Sequence, residues 1–129
     1  MKEQRNPPTI HAPLAAYSHQ IEISADERML VLSGQVGMTP DGGIPEDPAA
    51  QLEVALANVL RNLDAAGMRV NDLVKITYYL VDPIDAAARR TIISQQLGDH
   101  EPCATLVYVA ALAAPPIKVE VDAWASAAG

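Results

Sequence analysis

The stretch DPAAQLEVALANVLRNLDAAGMRVNDLVKITYYLVDP, residues 47–83, decides the fold, because its apolar period changes midway from helical to extended. Asp47 is a residue type that caps a helix, and Pro48 behind it has the fixed φ that suits a first helical position. Leu52, Leu56, Val59, Leu60 and Leu63 then recur at intervals of four, three, one and three, which places them in one stripe. Gly67 supplies the residue that commonly follows a helix end. From Leu73 to Val81 the chain turns to β-branched and aromatic residues, as in a buried strand. The element order is thus a one-faced helix followed by a strand it can cover.

Downstream, Asp82-Pro83 stops that strand and is placed to open a second helix. This helix carries Ile92, Ile93 and Leu97 inward, exposes Arg89 or Arg90, and ends at Gly98. Residues 105–110 and 118–125 read as two further strands. In the second, Val119, Val121 and Ala123 alternate with Glu120, Asp122 and Trp124, so one face is apolar and the other mostly polar. Upstream, residues 19–23 and 29–33 read as two strands joined in a hairpin through the polar turn at 24–28. Residues 1–16 hold Pro7, Pro8 and Pro13 with little periodicity and read as an irregular arm docked on the body.

The predicted order β-β-α-β-α-β-β over a single domain, residues 1–129, describes an α/β (α+β) protein whose helices cover one face of a mixed sheet. One layer of helices leaves the other sheet face open, which argues for an oligomer. Half of the residues are apolar but none is Phe, so aliphatic side chains do most of the packing. The formal charge of −7, with no basic run, argues against a nucleic-acid partner. One cysteine, Cys103, forms no internal disulfide and fits a reducing compartment. With no signal-like leader and no long apolar span, the expected location is the cytoplasm, away from membranes.

Several segments at matching spacing resemble the Rid (YjgF, reactive intermediate deaminase) family. They are Tyr17-Ser18-His19, Leu32-Ser33-Gly34-Gln35-Val36 with Pro40, Gln51, Asn62-Leu63, Ala65-Ala66-Gly67, Asn71-Asp72-Leu73-Val74-Lys75-Ile76-Thr77, and Lys118-Val119-Glu120-Val121-Asp122-Ala123. Together they span about residues 12–125. The resemblance implies a chorismate-mutase-like homotrimer with three clefts between subunits and no metal or organic cofactor. In active members of the family, an arginine grips the carboxylate of an imino or enamino acid by a bidentate pair, and a water near a glutamate attacks the imine carbon to release ammonia.

The family's Pro-Ala-Arg-Ser-Cys segment falls on residues 102–106, which puts Ala104 at the arginine position and Leu106 at the cysteine position. Cys103 stands one residue earlier, on the opposite strand face. Tyr17, Ser33 and Glu120 match the family's site tyrosine, serine and glutamate, and the site asparagine falls on Arg90. By residue type alone, Glu120 is a solvated strand residue, Tyr17 an anchoring aromatic, Ser33 a strand-end hydroxyl, and an Arg-Arg pair a solvated helix face; the resemblance makes Tyr17 and Ser33 lining residues of the cleft. Cys103 has no base nearby in sequence and reads as a small apolar side chain. His11, His19 and His100 lack a metal-ligand spacing.

Two functions follow. One is a cofactor-independent hydrolase for imines or enamines, with Glu120 as the catalytic residue, Tyr17, Ser33, Cys103 and Ala104 lining the substrate site, and Arg90 or backbone amides holding the anion. The other is a family member with weak or no deaminase activity toward 2-imino acids, because Ala104 cannot grip a carboxylate, which binds a different small ligand or serves a pathway-specific reaction. The ribonuclease activity of some relatives finds no support in the acidic charge balance.

Overall fold

The computed structural model describes residues 2–129. Helix α1 spans Pro48–Ala65, and the Asp47 side chain accepts a hydrogen bond from the Ala49 N–H at 3.2 Å, as an N-cap should. Its stripe is buried at Leu52, Leu56, Val59 and Leu63, while Leu60 packs at the edge of the core. Gly67 and Gly98, each just past a helix, have φ of +69° and +61°, a region that other residues enter at a cost.

The described residues form seven strands: β1 (Lys2–Arg5), β2 (Gln20–Ile23), β3 (Glu27–Val31), β4 (Gln35–Val36), β5 (Leu73–Leu80), β6 (Cys103–Tyr108) and β7 (Val119–Ala128). The main sheet has the order β3-β7-β5-β6, with β4 also on β7. β5 and β6 run parallel through the crossover helix α2 (Ala86–Leu97), and the other pairings are antiparallel. Val119, Val121 and Ala123 of β7 join Ile76, Tyr78 and Leu80 of β5 and the two helices in one core. The helices therefore lie on one face of a mixed sheet, as the order of elements implies.

Three expectations are corrected. The hairpin of the first two predicted strands does not form: β2 pairs with β1, Lys2 opposite Ile23, and β3 instead pairs with β7. Alternation shows that a strand is half-buried and says nothing about its neighbour. For the same reason the arm is not irregular throughout, since residues 2–5 form β1. Lys2 Nζ holds that strand to the body through the Ser126 carbonyl at 2.5 Å and Glu27 at 3.3 Å, and Gln4 donates to the Glu101 carbonyl at 3.0 Å. Third, α2 is capped by Asp85, whose carboxylate accepts from Ala88 N–H at 3.1 Å, and not by Asp82. Ile84 must first turn into the core, so the chain stays extended past Pro83.

Gln51 is the polar residue at the centre of this packing. It is fully buried, donates to the carbonyls of Pro45 at 2.8 Å and Pro116 at 2.9 Å, and accepts from Lys118 N–H at 2.9 Å. One side chain thus ties the loop before α1 and the start of β7 to the helix. Gln51→Leu leaves those backbone groups unpaired, and an equilibrium urea titration is expected to show a loss of about 3 kcal/mol or more.

Candidate functional site

Strand register determines which site residues meet. On β7, Glu120 and Asp122 point to the face away from the helices, with Trp124 beyond them. Glu120 lies opposite Val36 of β4 on one side and Tyr79 of β5 on the other. Its side chain crosses the backbone of Gly34: a Cβ built there would stand 2.0 Å from Glu120 Oε2. Gly34, by leaving out a side chain, is thus the residue that makes room for the carboxylate next to β4. Ser33 itself is exposed, and its carbonyl accepts from Gln35 Nε2 at 3.0 Å. Tyr17 is half-buried in its own segment, where its oxygen accepts from Leu14 N–H at 3.1 Å and its ring meets His19 edge-on at 5.5 Å.

Residue reading missed the pair of Tyr79 and Asp122. Tyr79 donates to Asp122 Oδ2 at 2.8 Å, and this hydrogen bond, with the charges of Asp122 and Glu120, raises the phenol above its ordinary value. The alternation of β7 put Asp122 on the same face as Glu120, but the pairing with β5 that brings Tyr79 to them is a tertiary fact. Further along the same face, Lys75 Nζ donates to Thr105 Oγ1 at 2.6 Å. Met29, Val31, Val107 and Trp124 surround these polar groups with exposed apolar surface.

Ala104 and Leu106 are on the other side of the sheet. They stand in register with Ile76 and Tyr78 and pack against the core. Arg90 is on α2, exposed, and forms no ion pair among the described residues. Cys103 shares the open face with its register partner Lys75. Burial raises its thiol, tempered by the Lys75 charge and a backbone hydrogen bond at Ile21.

Two neighbouring hollows of about 370 and 230 Å³ share Gln4, Asn71 and His100 as lining and include none of the sequence-predicted site residues. Among the described residues no three His, Cys, Asp or Glu side chains gather as a metal-binding group, and no helix is long and apolar enough to cross a membrane.

The family model described as Endoribonuclease L-PSP matches residues 9–127. The chain belongs to the Rid (YjgF) family. It is 35% identical over 101 residues to the 2-iminobutanoate/2-iminopropanoate deaminase of Escherichia coli, covering 75% of this chain and 78% of that one. It is 30% identical over 118 residues to Protein HMF1 of Saccharomyces cerevisiae, covering 91% and 87%. Among solved structures, the Rid-family protein YyfB of Yersinia pestis superposes with a TM-score of 0.84 at 29% identity, covering 96% of this chain and 97% of that one. TdcF of E. coli with bound serine gives 0.71 at 29%, covering 90% and 91%. The mixed sheet and two helices are this Rid family's chorismate-mutase-like fold.

Gly34→Ala is expected to push the Glu120 carboxylate out of its place in a crystal structure while leaving stability within about 1 kcal/mol, because only the flexible end of a side chain must move. The Cys103 thiol is expected to react with an aromatic disulfide reagent at neutral pH more slowly than free cysteine, and to speed up as pH rises, since burial disfavours the thiolate.

Proposed function

We propose that this Rid-family chain forms a homotrimer whose small-molecule sites lie between copies, and that it acts weakly or not at all on 2-imino acids. One observation carries the reading: the matched site residues lie on opposite faces of one sheet. Glu120 occupies the open face, and Ala104 and Leu106 the helix-covered face. No single chain can bring them together, whereas a second copy packed on the exposed Met29, Val31 and Trp124 supplies the missing wall. The deaminase name of the E. coli relative supports an imine or enamine as the ligand class. A single cysteine supports a cytoplasmic place of action.

In this site Glu120 is the acceptor for the proton of a water that attacks the imine carbon; the nitrogen takes up protons and leaves as ammonia. Ser33 precedes Gly34, over which the Glu120 carboxylate passes, whereas Tyr17 adjoins Ser18, whose N–H donates to the Pro102 carbonyl before β6. Ala104 offers no bidentate grip for a carboxylate, and losing such a pair costs roughly two orders of magnitude in turnover. The same apolar wall, Ala104 with Leu106, favours a second reading in which the cleft only binds its ligand.

The test is ammonia release from 2-iminopropionate made in situ by an amino-acid oxidase, with sedimentation to follow assembly. Expected are a mass three times that of the chain, a slow wild-type rate abolished by Glu120→Ala, and a gain of about tenfold or more in Ala104→Arg. A wild-type rate equal to that of the E. coli relative overturns the weak-activity reading. If that rate vanishes in Arg90→Ala, the carboxylate grip has moved to α2. No ammonia from any variant supports the ligand-binding reading.

A further inference from the structure

The two neighbouring hollows of about 370 and 230 Å³ lie where the ribbon of β1 and β2 meets the start of β5 and the chain between α2 and β6. Gln4, Asn71 and His100 line both. The larger adds Asn6, Ser18, Asp99 and Glu101, and the smaller adds Lys2, Ile21 and Leu73. Hydrogen bonds hold this lining in place. The buried Ser18 donates through Oγ to the Glu101 carbonyl at 2.7 Å and accepts from Gln4 Nε2 at 3.2 Å, and Asn6 Oδ1 accepts from the His19 N–H at 2.8 Å.

What these side chains have left to offer is mostly acceptor. His100 Nε2 stands 2.7 Å from the Leu73 carbonyl, which can only accept, so this nitrogen carries the proton and the neutral ring keeps a lone pair on Nδ1. Gln4 commits Nε2 to Ser18 and to the Glu101 carbonyl at 3.0 Å and keeps Oε1. The carboxylates of Asp99 and Glu101 and the side-chain amide of Asn71 have no hydrogen-bond or ion-pair partner among the described residues. Against these acceptors stand two uncommitted donors, Asn6 Nδ2 and Asn71 Nδ2. Lys2 adds no free cation, because its Nζ is held by the Ser126 carbonyl at 2.5 Å, Glu27 at 3.3 Å and Asp72 at 3.6 Å.

We infer that the two hollows together bind a small alkylammonium cation, with its N–H donors in the larger hollow and its short hydrocarbon tail beside Ile21 and Leu73 in the smaller. An ammonium group brings three donors and a positive charge to a lining that is rich in acceptors and carries two unpaired carboxylates. A carboxylate ligand would meet two like charges and no free cation. A second ammonium at the far end would meet Lys2, so an amine charged at one end fits better than a diamine. The formal charge of −7 draws cations toward the protein as a whole. None of the lining residues belongs to the cleft reading, so the amine site stands or falls independently of it.

The experiment titrates the full nitrogen-15-labelled chain at neutral pH with butylamine, diaminobutane and butyrate, and follows assigned amide signals. Butylamine is expected to move the Asn71, His100 and Glu101 signals to saturation, and to do so at lower concentration than diaminobutane, while butyrate leaves them unmoved. The double variant Asp99→Asn with Glu101→Gln changes only exposed side chains, and it is expected to bind butylamine roughly tenfold more weakly. A flat titration, an equal response to butyrate, tighter binding of the diamine, or unchanged affinity in the double variant overturns the inference. Movement at Glu120 and Asp122 in place of Asn71 and His100 also overturns it, by putting the cation on the open face of the sheet.

Discussion

The apolar contact between α1 and the central strands is the interaction on which the rest depends. Leu52, Leu56, Val59 and Leu63 from the helix meet Val119, Val121 and Ala123 of β7 and Ile76 and Leu80 of β5, all essentially without exposure. Fully burying one such large aliphatic side chain contributes about 1.5–3 kcal/mol, so this layer outweighs any surface ion pair in the molecule. Because β7 is hydrogen-bonded to β3 and β4 on one side and β5 on the other, fixing its inward residues also fixes Glu120, Asp122 and Trp124 outward. The chemistry-bearing face is thus a by-product of the packing on the other side.

That coupling explains why the site is supported by residues with no chemistry of their own. Gln51 holds the ends of two loops through three backbone groups, and the close pass of Gly37 over the helix, where a Cβ would lie 2.6 Å from the Gln51 backbone, keeps the chain between β4 and α1 in place. Gly34 does the same for Glu120 by leaving out a side chain. Lys2 closes the arrangement from the N-terminal side through Ser126 and Glu27. Each is a tight local condition that an apolar pattern alone would not impose.

The two faces of the sheet also divide the functional question. On the open face the polar groups are paired among themselves, Tyr79 with Asp122 and Lys75 with Thr105, inside an apolar surround. On the helix face Ala104 and Leu106 are uncharged and pack against the core.

Much of this was legible from residue order. Both helices, the β5 strand, the alternation of β7 and the family followed from period, caps and motif spacing, because these are local properties written within a few residues of each other. Glu120 and Ala104 could be named, and alternation put Cys103 and Ala104 on opposite faces. The tertiary structure alone decided that β2 pairs with β1 and not β3, that Asp85 caps α2, and that Tyr79 meets Asp122. The physical reason is common to all three: strand partners, the point where a chain can leave the core, and the partner of a side-chain hydroxyl depend on groups far apart in sequence, and only packing brings those groups together.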